Sequence, residues 1–535
     1  MKKLFLLVIL LTAFVPGYTA TAENTLYFRA MKDEMTRTLK ELHVPGELKP
    51  YYVAYFVKQK KWWNRTYSLG VFDASSDEQP TDNLEVNVVL DIGSDSNNSS
   101  GFFAEGYRAP YSQLGEEAAK SYEGLRQALW RVSNHRYLQA IERYKQKQAY
   151  KRKKNMENKL PDVVPAKQGI FIREVPAWPV PPKQRLDAWL QQMSSLGKKE
   201  PFLEEFSVSA VQAQEDRYFL NSRGGKSQTS VVTYRISLNA AFRQPSGYRE
   251  TPYKGIFLKD FSEESLASAE AEIHEFLVSL HARYAAAEPE PYLGPVLYKP
   301  AAAAGVLDSR LLKALSNTAP FLVEDNDEDD SASSWRKKLG RRMMSPHITV
   351  YDRPQVESYE GMALERTYYI DAEGVPSQEL ILVSNGRLQM LPFSQRPTGK
   401  KHASNGHAFV YHGDTTREKV SNVFVEPQTT WTDEEMEEKL LARCRELDLA
   451  YCYIKHEDED TAYERIYTQD GHREYVSALR VENESARVLR DILAAGGEPA
   501  LIKRRMVTPS LLIDEVELVP VDRKPERKPF IAKPQ

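Results

Sequence analysis

Two proline-rich segments divide this sequence and limit the folds that it can adopt. Six prolines lie between Pro161 and Pro182, and the run Glu288–Pro291 holds two more. Proline lacks a backbone N–H and fixes φ, so neither segment continues a helix or a central strand. A chain of 535 residues also exceeds the roughly 250–300 residues that one hydrophobic core supports. We therefore predict three folding units, over residues 23–190, 191–290 and 291–522.

Hydrophobic patterning predicts an α+β fold. In the first unit, the strand-like runs Tyr51–Val57 and Leu84–Ile92 precede a long helical pattern over about 115–155. We expect this N-terminal unit to pack a sheet against that helix. The middle unit carries strand-like runs around the turn Asn221–Gly225, so we expect it to be small and rich in hairpins.

The last unit is dominated by strand-like runs, and we predict a large, mostly antiparallel β domain. Two helices are predicted within it, near residues 433–446 and 485–495. Thr432 and Glu435 have the spacing of a capping box at the start of the first helix.

The charge balance argues against a general affinity for nucleic acid. The chain has 72 Lys and Arg against 75 Asp and Glu, a formal net charge of −3, so no global attraction to a polyanion follows. One basic cluster, Arg143–Lys154, ends the long helix. We interpret it as a solvated helix end rather than a nucleic-acid patch.

Residues 1–22 have the pattern of an export signal. A basic start precedes the apolar run Leu4–Val15, and Ala20–Ala22 offers a cleavage site of small residues. The apolar run is shorter than the ~20 residues that cross a bilayer as a helix, and an uncleaved anchor is the alternative. We expect an exported bacterial protein, periplasmic or secreted, without stable membrane insertion. The charged, proline-rich residues 523–535 are expected to form a disordered tail.

The chain has two cysteines, Cys444 and Cys452. Cys444 falls on the apolar side of the predicted helix, and Cys452 falls in the strand-like run that follows it. Two core thiols are the favoured interpretation, and a disulfide is the alternative in an oxidising compartment.

Five segments in the C-terminal half, taken together and in order, resemble the TldD/PmbA family of zinc peptidases. The segments are Tyr292–Leu307, Asp371–Glu379, Ser384–Leu388, Ser404–Ala408 and Val507–Pro520. The resemblance implies a peptidase scaffold and an assembly into dimers, including dimers that combine a metal-bearing subunit with a metal-less one.

The same resemblance indicates that the metal ligands have been replaced. In the family, a strand leads into a helix with a His-Glu…His motif, whereas this chain has Lys299, Pro300, Ala301 and Ala304 at the degenerate positions. The family's zinc-binding members also supply a cysteine near the C-terminus, and residues 496–507 contain none. We therefore predict no metal and no cofactor; zinc would be the cofactor only if the ligand loss were misread.

The loops that survive give the candidate groove residues, while the catalytic residues stay unassigned. Those candidates are Asp371, Glu373, Gly374, Asn405, Gly406 and His407. Their polar groups either line a peptide groove or serve only to build tight turns, since Gly374 and Gly406 permit positive φ.

Three functions are compatible with these features. The first is a metal-free pseudoenzyme that binds peptides or proteins and acts as a partner subunit, in a homodimer or a heterodimer with a TldD-like subunit. The second is an active peptidase with unconventional residues, with His407 as base beside Asp371 or Glu373. The third is a periplasmic binding protein on the same scaffold.

Overall fold

In this computed structural model, the described residues are 26–74, 76, 79–103, 113–114, 121–157, 160–316, 319, 322–323, 335–399, 402–411, 415–457, 462–477, 479–482 and 486–521. The predicted signal (1–22) and the predicted tail (523–535) lie outside them. None of the helices within these ranges combines the length and the hydropathy that crossing a bilayer requires.

One large sheet is built jointly by the N-terminal and middle segments. Its strands are β1 (Pro50–Ser68), β2 (Val71–Phe72), β3 (Thr81–Ser94), β4 (Asn97–Asn98), β6 (Gln113–Leu114), β7 (Ile170–Ile172), β8 (Leu203–Asn221), β9 (Lys226–Arg243), β10 (Arg249–Glu250) and β11 (Tyr253–Leu258). The described strands run in the order β10-β9-β8-β1-β3-β4, with β2, β6, β7 and β11 paired alongside. The short strand β5 (Phe102–Phe103) pairs elsewhere.

Helices cover one face of this sheet. They are α1 (Leu26–Glu41), α2 (Tyr122–Lys153), α3 (Lys183–Ser195) and α4 (Glu263–Tyr284), and a 3-10 turn (Leu196–Lys199) follows α3. Because strand side chains alternate between faces, Tyr55 and Val57 of β1 share a core with α1 and α2. Farther along β1, Trp63 and Tyr67 lie in a second core with α3 and α4. The opposite face, which carries Lys58, is turned toward the C-terminal domain.

The proline-rich segment is extended and contacts both parts of the molecule. Its strand β7 pairs in parallel with the start of β9. The N–H of Val164 donates to the carbonyl of Gln395 at 2.8 Å, and that of Gly169 donates to Gly374 at 2.8 Å. The segment therefore joins the first sheet to the loops of the C-terminal domain.

A second, mixed sheet forms the C-terminal domain. Its strands are β12 (Tyr292–Tyr298), β14 (Ile348–Asp352), β17 (Leu380–Ser384), β18 (Arg387–Leu388), β21 (Val423–Pro427), β22 (Tyr451–Lys455), β23 (Tyr463–Tyr467), β24 (Arg473–Val476), β25 (Leu479–Val481), β26 (Ile492–Ile502) and β27 (Met506–Pro520). Short strand pairs lie outside it: β13 (Leu322–Val323) with β5, β15 (Ser358–Tyr359) with β16 (Met362–Ala363), and β19 (Ala408–Tyr411) with β20 (Thr415–Glu418). The order is β18-β17-β14-β21-β27-β12-β22-β23-β24. Among the described pairs of this sheet, β12–β22 and β21–β27 are parallel and the others are antiparallel.

Two helices pack on opposite faces of the second sheet. Helix α5 (Pro300–Leu307), continued by a π turn (Asp308–Leu312) and a last turn (Lys313–Leu315), shares a core with Val296. Helix α6 (Asp433–Glu446) packs with the next residue, Leu297, on the other face. The predicted α+β fold class is thus confirmed, and so is the capping box of Thr432 and Glu435 at the start of α6.

The helix predicted over 485–495 is wrong. After a 3-10 turn, Ala486–Leu489, the chain enters β26, which pairs with β27. The apolar residues there face the core as a strand, so tertiary pairing overrides a weak helical pattern.

The interpretation of the basic helix end as solvated is wrong for two of its residues. Arg143 and Lys147 are buried. The ammonium of Lys147 donates to the carbonyls of Asn98 at 3.0 Å and Ser100 at 2.7 Å, and to the carboxylate of Asp162 at 2.7 Å. Burial lowers the pKa of Lys147 to about 8, because the charged form loses solvation. This cation fastens α2 to the neighbouring loops.

Candidate functional site

A groove separates the uncovered face of the first sheet from the loops of the C-terminal domain. Its volume is about 420 Å³. The sheet side is lined by Phe56, Lys58, Asn87, Glu215, Arg217 and Phe219, and the loop side by residues 365–372 and 408–410. The two loops that resemble the family's motifs, 371–379 and 404–408, therefore both reach this groove.

The charged side chains on the sheet side of the groove are paired with one another. Lys58 lies 2.6 Å from Glu85 and 3.9 Å from Glu215, and Arg217 lies 2.6 Å from Glu215. Burial raises the pKa of Glu215, but the Arg217 and Lys58 cations outweigh it and hold that pKa below its usual value. Because the charges compensate, this wall favours neither an acidic nor a basic ligand.

The groove continues into a second cavity of about 180 Å³, with which it shares Glu215, Arg217, Thr229, Glu365, Thr367 and Tyr369. This cavity lies along the outer edge of β9, where β7 pairs with residues 226–228 and β11 with residues 234–239. Residues 229–233 between them have no strand partner on that side among the described residues.

Ser230 and Val232 of β9 present backbone N–H and carbonyl groups to this open edge. The side that each residue faces is set by its neighbours: the N–H of Lys226 donates to Gly169, and the carbonyl of Gln228 accepts from Arg173, so the backbone groups of even-numbered residues face outward here. Strand alternation extends this to Ser230 and Val232. Within the described part of the chain, no hydrogen bond uses their outward N–H or carbonyl groups.

Asp371 lines the groove and also closes the loop that carries it. Its carboxylate accepts backbone N–H groups from Glu373 at 2.9 Å, Val375 at 2.8 Å and Ala408 at 3.0 Å. Burial and the neighbouring Glu373 carboxylate raise the pKa of Asp371, while the three N–H donors act in the opposite direction. The bond to Ala408 joins the two resembling loops.

Glu373 and Gly374 hold the loop in place: Glu373 bonds to neighbouring parts of the C-terminal domain, and Gly374 packs against the proline-rich segment. Glu373 accepts from Thr416 at 2.5 Å and from the N–H of Gln395 at 2.6 Å. Burial raises its pKa. Gly374 has φ +87°, and a Cβ there would collide with Gln168. These two candidates therefore have a structural role in this arrangement.

The second loop, 404–408, is a buried turn. Asn405 accepts the N–H of Phe393 at 2.8 Å and donates its amide to Leu391 at 2.8 Å. Gly406 has φ +75°, and a Cβ there would meet the backbone of Pro376.

His407 is fully buried within this turn. Its Nδ1 lies 3.0 Å from the carbonyl of Asn405, and its Nε2 lies 3.2 Å from Asp352. Among the described hydrogen bonds, none joins His407 to Asp371 or Glu373. This geometry does not assemble the base and carboxylate pair considered for an active peptidase.

The degenerate metal positions lie at the start of α5. Lys299 is the N-cap residue, Pro300 is the first helical residue, and Ala304 is buried in the domain core while Ala301 is half-buried. The ammonium of Lys299 lies 3.0 Å from Asp433 and 3.3 Å from Glu437, both on α6.

Asp433 connects this position to the segment where a cysteine was expected. Its second oxygen accepts the N–H of Glu498 at 3.2 Å, and Gly497 lies against it. The two segments therefore meet around one carboxylate. The side chains there do not fit zinc, because none is an imidazole or a thiolate and the Lys299 ammonium already lies against the Asp433 and Glu437 carboxylates. Elsewhere in the described residues, no group of three or more His, Cys, Asp or Glu is arranged to hold a metal ion.

Several residues of this region were not found from the sequence. Asp433 was located only at the start of a predicted helix, and no functional role was predicted for Asp352, Ser230 or Val232. Their roles depend on contacts between segments distant in sequence, which spacing does not reveal. The helical pattern of α6 would have placed Asp433 and Glu437 on one face, since they are four residues apart.

Comparison with known proteins agrees with this architecture. Residues 292–519 match the family described as the PmbA/TldA metallopeptidase C-terminal domain. A metalloprotease of Methanocaldococcus jannaschii is 32% identical over 118 residues, which are 22% of this chain and 23% of that protein. The matched segment thus spans under a quarter of that relative.

Solved structures share the fold across nearly the whole chain. A proposed modulator of a DNA gyrase from Thermotoga maritima superposes with a TM-score of 0.58 at 14% identity, covering 92% of this chain and 100% of that one. TldE from Thermococcus kodakarensis gives 0.57 at 13% identity, covering 92% and 100%. A proposed modulator of DNA gyrase from Bacteroides thetaiotaomicron gives 0.57 at 12% identity, covering 92% and 98%. The C-terminal domain of this chain therefore belongs to the PmbA/TldD metallopeptidase family, and the whole chain shares the fold of these solved structures.

Proposed function

We propose that this protein is an exported, metal-free member of the family that binds extended peptides and pairs with a metal-bearing TldD-like subunit. The observation that carries the proposal is the groove whose floor ends at the open edge of β9. The ion pair of Lys299 in place of metal ligands supports the metal-free part.

Peptide binding follows from the geometry of the open edge. An extended peptide that lies beside Ser230 and Val232 gains backbone hydrogen bonds and continues the sheet between β7 and β11. The sheet side of the groove has compensated charges, so recognition rests on the main chain and on apolar contacts with residues such as Phe56 and Phe219. Such a site accepts many sequences but requires an unfolded segment.

The metal-free part follows from the chemistry of the donors. A catalytic zinc site needs three protein ligands and an open position for water. At the start of α5, the cationic group is an amine, and it already contacts two carboxylates. Hydrolysis of a bound peptide therefore falls to the partner, in keeping with the resemblance to TldE.

Export follows from the N-terminal sequence alone. The partner is then expected in the same compartment, with peptides or unfolded proteins as ligands and without nucleic acid.

Fluorescence anisotropy with a labelled, unstructured peptide tests the binding site. Val232→Pro removes the outward N–H but leaves the ladder to β8, because that ladder uses the odd-numbered residues. We expect Kd to rise about tenfold, the cost of one or two hydrogen bonds. Val232→Ala is the matched control and should stay within twofold. Equal affinity for wild type and Val232→Pro would refute the edge as the site.

Metal analysis and co-expression test the other two parts separately. Purified protein should hold well under one zinc per chain and should not hydrolyse the peptide, with or without chelator. Co-expression with a metal-bearing family member should yield a stable complex. One tightly bound zinc per chain would refute the metal-free claim, and chelator-insensitive turnover would favour an unconventional peptidase. If the protein stays monomeric when it is co-expressed with that relative, the function that remains is a binding protein that acts without a partner.

A further inference from the structure

The two cysteines of the chain lie together in the C-terminal domain. Cys444 is in the last turn of α6 and Cys452 is in β22, and both are fully buried. Both are free thiols. They share a small core with Met436, Leu440 and Ile466.

The two thiols are neighbours within this core. The nearby Cys452 thiol lowers the pKa of Cys444, and the nearby Cys444 thiol together with burial raises the pKa of Cys452. The Cys452 thiol also donates to the carbonyl of Ile466 at 3.8 Å. The turn between the two cysteines is held by the N–H of Leu449, which donates to the carbonyl of Cys444 at 3.0 Å. Two thiols that are neighbours in one small core need only a local movement to reach bonding distance.

We propose that Cys444 and Cys452 are a disulfide site, closed by thiol–disulfide exchange with a disulfide carrier such as oxidised glutathione. A thiolate of one cysteine attacks a carrier sulfur, forms a mixed disulfide and expels one carrier thiolate. The thiolate of the other cysteine then attacks the protein-bound sulfur and expels the second carrier thiolate. Two cysteine thiols are oxidised to one disulfide, the carrier is reduced to two thiols, and the two cysteine protons pass to those thiols.

The bond would fasten the C-terminal end of α6 to β22. Strand β22 pairs in parallel with β12, which leads directly into Lys299. The same helix begins with Asp433, the carboxylate that Lys299 contacts. The disulfide would therefore link α6 and β22 at the end of the helix opposite to that ion pair. This inference does not depend on peptide binding.

Mass spectrometry of the full chain tests the site. The protein is equilibrated in glutathione redox buffer with subdenaturing urea, acid-quenched, denatured and treated with a maleimide. We expect a loss of about 2 Da from two hydrogens and no maleimide adduct. Trypsin cleaves after Arg443, Arg445 and Lys455, so the bridge appears as Cys444-Arg445 linked to Glu446–Lys455.

A parallel sample without oxidant shows whether reagents reach the thiols, since maleimide should label both cysteines in the same urea. If both label there and yet oxidised glutathione gives no internal bridge, the proposal is overturned. If maleimide labels neither cysteine, the urea concentration in both samples is raised until the control is labelled, and the oxidation is then repeated. As a second readout, oxidation should raise Tm by about 5 °C in wild type and leave Cys452→Ala unchanged. An unchanged wild-type Tm after bridging would overturn the fastening of α6.

Discussion

Replacing Lys299 by methionine tests whether its ammonium holds together the start of α5, the start of α6 and the segment near Glu498. The substitution keeps the length of the side chain and removes its charge. Asp433 and Glu437 then lose the cation at 3.0 and 3.3 Å. The contact with Asp433 counts for less, because that side chain is 43% exposed and solvent screens it. Glu437 keeps Arg473 at 2.7 Å.

From these contacts we expect a loss of about 1–1.5 kcal/mol of stability, below the ~3–5 kcal/mol for breaking a fully buried pair. In a thermal melt followed by circular dichroism, this corresponds to a Tm lowered by about 2–6 °C. Lys299→Arg should recover at least half of it, because the guanidinium restores the charge. A double-mutant cycle with Asp433→Asn should give a coupling of roughly 0.5–1 kcal/mol.

The effect depends on pH in a defined direction. Partial burial raises the pKa of Asp433, but the Lys299 ammonium and the Glu498 N–H outweigh it and hold that pKa below its usual value. A carboxyl whose pKa is lowered in the folded state stabilises the protein fully at pH values above its unfolded pKa of about 3.9. This stabilisation is lost as the pH falls below that value toward the folded-state pKa. The Tm difference between wild type and Lys299→Met should therefore be full at pH 7 and shrink toward pH 3. A difference below 1 °C at pH 7, or one that grows on acidification, would refute the reasoning.

Three further substitutions give separate tests. Lys147→Met should lower Tm by several degrees, since it leaves Asp162 and two carbonyls without their donor, at about 3 kcal/mol. Because the folded pKa of Lys147 is lowered to about 8, wild type should gain stability from pH 8 to about 10.4, and the variant should lack that gain. Asp371→Asn should weaken peptide binding several-fold and lower Tm, because the NH2 group of the new amide would face backbone N–H donors. Unchanged binding measured by anisotropy would contradict the place of Asp371 in the groove. His407→Gln should lower Tm by roughly 4 °C or more through lost core packing while peptide affinity stays within twofold; a normal melt with abolished binding would make His407 a ligand-contacting residue.

The sequence predicted the parts of the fold that depend on local pattern. The capping box at Thr432 marked the start of α6, and the glycines at 374 and 406 marked turns that the structure places at positive φ. Two of the motifs in the C-terminal half, 371–379 and 404–408, combine a turn with a polar residue that holds it. Asp371, for example, closes its own loop through two N–H groups within four residues.

The parts that sequence reasoning missed depend on contacts across long separations. Lys147 looked like a solvated residue in a basic run, and only the chain at Asn98 and Asp162 makes it a buried donor. The region 485–495 was read as a helix, because the pairing of β26 with β27 is not visible in its own spacing. The groove needed both domains, since one wall is strand and the other is loop.

In the proposed metal-free protein, an ammonium at the position of the family's metal ligands has a chemical consequence. Lys299 can order the carboxylates of α6 by charge and hydrogen bonding, as a cation does. A protonated amine has no vacant orbital, however, so it neither polarises a carbonyl as a Lewis acid nor lowers the pKa of a bound water. The same position thus keeps α5, α6 and the 496–498 segment in place and supplies no nucleophile. In the proposed function, the open edge of β9 therefore holds an extended peptide without cutting it, and cleavage requires a second subunit whose own metal reaches that peptide.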